Sequence, residues 1–135
     1  MARTIVVGDI HGCYDELVEL LERAELASDD RVVSVGDLIV KGPKNKEVLD
    51  LFSSDARFAS VIGNQDLAVL KFWKGEAELL KEPQKQACLE LEREKERHAT
   101  YLNSLPFFLN LNSHAVVHAG EYSSVSNTYA VKWWP

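Results

Sequence analysis

The stretch RTIVVGDIHGCYDELVELLERAEL at residues 3–26 decides how the rest of the chain is read. Its apolar run Ile5-Val6-Val7 predicts a buried strand over 3–7, stopped by Gly8. From Tyr14 onward Leu17, Leu20, Leu21 and Ala24 recur at helical spacing with acids between them, predicting a helix over 14–26. The pattern then repeats. RVVSV (31–35) reads as a second strand, PKNKEVLDLF (43–52) as a second helix with Pro43 in its first turn, and FASVI (58–62) as a third strand. Strand–helix–strand–helix–strand with short connections predicts an α/β fold whose parallel-rich sheet is built by right-handed crossovers and flanked by helices.

Beyond the third strand the period changes. Residues 64–105 read as mostly helical, and within them Ala87, Leu91, His98, Tyr101, Leu102 and Leu105 recur at three- and four-residue steps. The charged run ELEREKER is a solvated face. Pro106 ends the helical segment, and FFLNL (107–111) with HAVVH (114–118) predicts a hairpin. From Tyr122 the tail, with Tyr129, Trp133 and Trp134, follows no period.

With 135 residues the chain is expected to form one domain, 1–135, with a normal core. A net charge of −6 argues against broad affinity for nucleic acid or an anionic membrane, but not against a small phosphorylated ligand, since a bound metal would supply local positive charge. The apolar run before Asp9 is too short for a signal segment and nothing approaches a membrane span. Cys13 and Cys88 have no framework or metal-binding spacing, so they are expected to be reduced thiols of a cytoplasmic protein.

The chemistry is carried by four short strings: Gly-Asp-Ile-His-Gly at 8–12, Gly-Asp-Leu at 36–38, Gly-Asn-Gln-Asp at 63–66 and His-Ala-Gly at 118–120. Each follows an apolar β-branched run, so Asp9, His11, Asp37, Asn64 and His118 fall at strand ends, where open α/β sheets bind ligands. Asp9 and His11 stand two apart on a segment expected to be extended, which lets both point the same way. Carboxylate and imidazole together suit manganese, iron or zinc better than calcium. Asp37 can bridge two cations with its two oxygens, and Lys41 can neutralise a phosphate oxygen. Taken singly, a Gly-Asp after a strand is usually only a turn. A lone His118 would more often be a core histidine, and Lys41 and Lys44 solvated loop charges. His98 and His114 read as structural. Four such strings in order favour a site.

These strings, in the contexts HGCYDEL (11–17), GDLIVKGP (36–43), GNQDLAVL (63–70) and VHAG (117–120), resemble the calcineurin-like metallophosphoesterases, and most closely the branch of symmetrical diadenosine tetraphosphatases and PPP-type phosphatases. The resemblance runs from residue 3 to about 120. It implies the N-terminal portion of an α/β/β/α metallophosphoesterase sandwich and a hydrolase acting on phosphate esters or dinucleoside polyphosphates. It also implies two divalent metal ions, manganese first among them. Asp9 and His11 would hold one metal, Asp37 would bridge, and Asn64 with His118 would hold the other. Asp37, Asn64, Gln65 and Asp66 become the implied catalytic set, and Lys41 with Asn64 the phosphate contacts.

Three departures accompany the resemblance. Val40-Lys41 stands where the family's wider pattern has Asp-Arg. Gln65 replaces the histidine thought to protonate the leaving oxygen, and an amide cannot act as an acid. The family also continues well past the point where this chain reaches Pro135, with a late histidine motif and part of a second sheet. The expectations are therefore a phosphoesterase with weakened activity or, as the alternative, a catalytically silent module that binds metal, phosphate or a partner. A shortened fold would expose apolar surface for a partner or a second copy to cover.

Overall fold

The computed structural model describes residues 2–79 and 81–118 in full, and 121–125 and 128–132 as backbone. Three parallel strands form the central sheet: β1 (Thr4–Val7), β2 (Arg31–Ser34) and β3 (Phe58–Ser60), in the order β1-β2-β3. Helices α1 (Tyr14–Arg23) and α2 (Asn45–Ser54) make the two crossovers, as the alternating pattern predicts. The predicted helical stretch resolves into α3 (Asn64–Trp73), α4 (Glu82–Leu91), a short 3₁₀ turn and α5 (Lys95–Ser104). The predicted hairpin is β4 (Phe108–Leu111) paired antiparallel with β5 (His114–Val117).

Side chains alternate across the sheet, and that alternation builds two cores. Val32 and Phe58 join Leu17, Leu21, Val48, Leu49, Phe52, Val69, Leu91 and Leu102 on the helical side. Val33 and Val61 point the other way and meet Val116 of the β4–β5 hairpin, with Val35, Leu109 and Leu111 packed against them. Helices therefore cover one face and the hairpin the other, as a parallel sheet requires.

Four local expectations change. β1 is an edge strand among the described residues and is not buried: Val6 is 52% exposed, because it shares the sheet face of Val33 but lies outside the patch that Val116, Leu109 and Leu111 of the hairpin cover. Helix α1 ends at Arg23, three residues early, in a Schellman turn. Glu25 takes φ 51 and its N–H donates to the Glu22 carbonyl, while Leu26 N–H reaches the Leu21 carbonyl. Helix α2 begins two residues late, so Pro43 precedes it; Lys44 has non-helical dihedrals and its N–H donates to the Gly12 carbonyl. The tail carries a hairpin that its sequence does not announce, β6 (Glu121–Val125) antiparallel to β7 (Thr128–Lys132). Trp133 and Trp134 lie outside the described residues. Cys13 and Cys88 are free thiols. No helix among the described residues is long and apolar enough to cross a membrane.

Candidate metal centre

Backbone hydrogen bonds stitch the loops at the carboxyl ends of the strands to one another. The N–H groups of Ile10 and His11 both donate to the Asp37 carbonyl, at 3.0 and 2.8 Å, and Gly12 N–H donates to the Leu38 carbonyl at 2.9 Å. The segment holding Asp9 and His11 is therefore a turn and not the expected extended run. His11 sits at φ 48, and the side chains converge because the turn folds against the 36–41 loop. That loop is itself unusual, with Asp37, Val40 and Lys41 all in the left-handed region at φ 54, 77 and 79. For a β-branched residue such as Val40 this backbone is costly. Asn45 offsets the cost: its Oδ1 accepts from Val40 N–H at 2.9 Å, and its Nδ2 donates to the Gly42 carbonyl and to Glu90 of α4.

The side chains meet over this scaffold. Donor atoms of Asp9, Asp37 and His118 all lie within 4.8 Å of one another, a group able to hold a metal ion. His118 Nε2 lies 3.3 Å from Asp37 Oδ2 and 2.8 Å from Asn64 Oδ1. His11 Nε2 lies 3.5 Å from Asp9 Oδ2 and 3.9 Å from Asp37 Oδ2. Asp37 is almost wholly buried, whereas the Asp9 side chain is 45% exposed and forms the open side.

The protonation pattern of the two imidazoles tests whether a cation fits. His118 Nδ1 lies 2.9 Å from the Val35 carbonyl, and His11 Nδ1 lies 3.3 Å from the Ile39 carbonyl. A carbonyl only accepts, so each Nδ1 carries a proton, and in the neutral ring that makes Nε2 the nitrogen able to ligate a cation. Both Nε2 atoms face oxygens that only accept, those of Asp9, Asp37 and Asn64, an arrangement that a cation between them satisfies and that matches the way carbonyl-anchored histidines bind metals. The residues fit a metal.

Electrostatics agree. Burial raises the Asp37 carboxyl above its ordinary value and the like charge of Asp9 adds to this, while the Gln65 N–H and the two imidazoles pull it down. Asp66 is fully buried. Its carboxyl accepts from Gly63 N–H at 2.9 Å and Ile39 N–H at 3.2 Å, bracing the start of α3 against the 36–41 loop. Burial pushes Asp66 up to about 6 against the pull of those two amides.

The other predicted residues take varied places. Gln65 is the second residue of α3, beside the group: its N–H donates to Asp37 Oδ1 at 2.9 Å, while its side chain turns to α4 and accepts from Gln84 Nε2 at 3.0 Å. Lys41 is exposed, on the rim of an open cleft of about 680 Å³ shared with Pro43, Pro83 and Leu89. Lys44 pairs with Asp15 on α1. His98 is buried in α5 and His114 is exposed beside Ser113. Ala119 and Gly120 of the fourth string lie outside the described residues.

Sequence reasoning missed Gln84 and Asn45. Gln84 did leave a signal, because it stands three, four and seven residues before Ala87, Cys88 and Leu91. A polar residue on the buried face of a helix needs a partner. Asn45 leaves no comparable mark.

An α/β sheet carrying acids and imidazoles on the loops after its strands is a frame able to hold divalent cations. The chain belongs to the calcineurin-like phosphoesterase family, whose sequence profile matches residues 2–134. It is 35% identical over 119 residues to a symmetrical bis(5'-nucleosyl)-tetraphosphatase of Vibrio campbellii, covering 87% of this chain and 44% of that protein. The crystal structure of a protein assigned as a diadenosine tetraphosphatase superimposes with a TM-score of 0.76 at 30% identity, covering 94% of this chain and 55% of the other. A metallophosphoesterase from Sphaerobacter thermophilus gives a TM-score of 0.69 at 25% identity, covering 87% of this chain and 46% of the other. The chain thus spans about half the length of these relatives.

Proposed function

We propose that this chain is a metal-dependent phosphoesterase that hydrolyses phosphate esters or dinucleoside polyphosphates at a two-cation site, with a reduced rate on poor leaving groups. The observation that carries the reading is the pair of imidazoles, each held by a backbone carbonyl at Nδ1 with Nε2 turned to Asp37. Asp9 and His11 would hold one cation, Asp37 would bridge, and Asn64 with His118 would hold the second. Manganese is the ion to try first, because the set mixes carboxylate, amide and imidazole donors. Bound cations supply Lewis acidity toward a phosphate oxygen and activate a water nucleophile.

The chain's own residues do the rest. The stitched loops fix the donors before substrate arrives, so little is spent ordering them. Lys41, on the cleft rim, would add a positive charge for a further phosphate group, and the apolar Pro43, Pro83 and Leu89 beside it suit a nucleoside. Gln65 can donate a hydrogen bond to the phosphate but no proton, so the leaving oxygen must depart as an anion. Losing a general acid costs on the order of 10²–10⁴ in rate, least for good leaving groups.

The test is hydrolysis of 4-nitrophenyl phosphate with added manganese, with Asp37→Asn as control. Turnover that disappears in the control is the expected result. A folded, metal-loaded protein without turnover would favour the second reading, a phosphate- or partner-binding module, which Gln65 in place of an acid supports.

A further inference from the structure

Gln84 occupies a position that helix α4 otherwise gives to core residues, and it is nine-tenths buried. Its Nε2 crosses to α3, where it donates to Gln65 Oε1 at 3.0 Å; Gln65 is equally buried. The Gln65 backbone N–H is already tied to Asp37 Oδ1, and Asn64 before it places its Oδ1 2.8 Å from His118 Nε2. Gln65 is therefore held at its backbone by Asp37 and at its side chain by α4.

The two halves of an amide have nearly the same shape and opposite hydrogen-bonding character. Oε1 of Gln65 is taken by Gln84. Among the described residues the buried side-chain polar atoms without a partner are Trp73 Nε1 and His98 Nε2, and Gln65 Nε2 is not one of them. Among the described residues no group accepts from that Nε2, so it is the half left for a ligand. A phosphate oxygen only accepts, and the orientation of this amide decides between attraction and repulsion.

We propose that Gln84 is a positioning residue that orients the Gln65 amide so that its NH₂ group meets a phosphate oxygen of the substrate. This rests on the phosphoesterase reading above. Gln84 must act as the donor of the pair. A carboxylate at 84 can only accept, and would turn the Gln65 amide over to present Oε1 to the phosphate.

The experiment uses the full chain, labelled with ¹⁵N at glutamine side chains, with magnesium present and inorganic phosphate as the probe. Spectra of Gln65→Leu and Gln84→Leu assign the two NH₂ signals. Phosphate is expected to shift the Gln65 NH₂ signal and leave that of Gln84 in place. A hydrogen bond to a charged group sets the scale: Gln84→Glu should weaken phosphate binding about 10- to 100-fold, and Gln84→Leu, which frees the amide without reversing it, only a few-fold. Unchanged phosphate affinity in Gln84→Glu, or a phosphate-induced shift at Gln84 itself, would overturn the assignment. Should a variant fail to fold, through-space contacts of the NH₂ groups in the wild-type protein assign the same two signals, and the phosphate response still decides the point. A protein that hydrolyses the aryl ester with no phosphate response at Gln65 overturns the positioning role alone. A protein with that response and no hydrolysis keeps the positioning role and loses the enzymatic reading.

Discussion

Replacing Gly63 by alanine should damage the site more than any surface change of equal size. Gly63 has φ −90 and ψ 170, which alanine adopts without strain, so the outcome turns on space alone. A Cβ built there would lie 2.1 Å from Asp37 N and 2.1 Å from Asp37 Oδ1. Restoring ordinary contact at about 3.4 Å means opening the gap between the 36–41 loop and the start of α3 by roughly 1.3 Å. Two bonds span that gap, Gln65 N–H to Asp37 Oδ1 at 2.9 Å and Ile39 N–H to Asp66 at 3.2 Å. Overpacking costs about 1–3 kcal/mol, and stretching a hydrogen bond to a buried carboxylate adds about 1.5–3 kcal/mol, so a total near 3–5 kcal/mol is expected. Urea unfolding in EDTA measures this without metal, and calorimetric titration with manganese measures the site. Gly8→Ala is the matched control, since a Cβ there meets nothing within 4 Å, and it should stay within about 0.5 kcal/mol of wild type. If Gly63→Ala were as stable as Gly8→Ala and bound manganese normally, the reasoning from close approach would be refuted.

Gln65→His should raise turnover of an alkyl phosphate at least about tenfold while changing that of 4-nitrophenyl phosphate little; equal effects on both would sink the general-acid account. Asp30 accepts from the Arg3 guanidinium, at 2.6 Å, and from the Ala27 and Arg3 N–H groups. These partners, Arg3 first, hold its carboxyl well below the usual range, so its contribution is present above the ordinary carboxylate pKa and is lost as pH falls. Asp30→Asn should therefore flatten the acid limb of a stability-against-pH curve, and an unchanged limb would count against the clamp. Asp66 has the opposite sign. Its folded value of about 6 lies above the ordinary 3.8, so its contribution is present below the lower figure and is lost as pH rises through the upper one. In EDTA, thermal melts of Asp66→Asn should lack this decline between those two pH values, and identical slopes in variant and wild type would disprove it.

The parallel sheet was legible because each strand is a short β-branched run closed by glycine, and each helix shows its 3.6-residue period. What those runs could not carry was strand order. Ile5-Val6-Val7 has the composition of a central strand, yet it lies at the edge, a fact set by which chains pair and not by local sequence. The candidate site residues were legible as strand-end donors, and the structure brings Asp9, His11, Asp37, Asn64 and His118 close to one another. The geometry that gathers them was not. It depends on positive φ at His11, Asp37, Val40 and Lys41; Asp and His visit this region more often than most residues, but Val40 and Lys41 do not announce it. It depends also on carbonyls of Val35 and Ile39, which any residue would supply.

That division has a consequence for Asp37. Its carboxyl is kept above its ordinary value by burial and by Asp9, so in the metal-free protein the charge is a cost that the fold carries. The structural part of its role, accepting the Gln65 N–H at Oδ1, needs only an oxygen, which asparagine also offers. Asp37→Asn should therefore melt at or above the wild-type temperature in EDTA. Manganese should reverse the order, because only the wild type has two anionic oxygens to share between cations, and a ligand that binds the folded state alone raises its stability. A variant less stable than wild type in EDTA would show that Asp37 holds the loops together by its charge. Unreversed order with manganese present would show that Asp37 does not bind it.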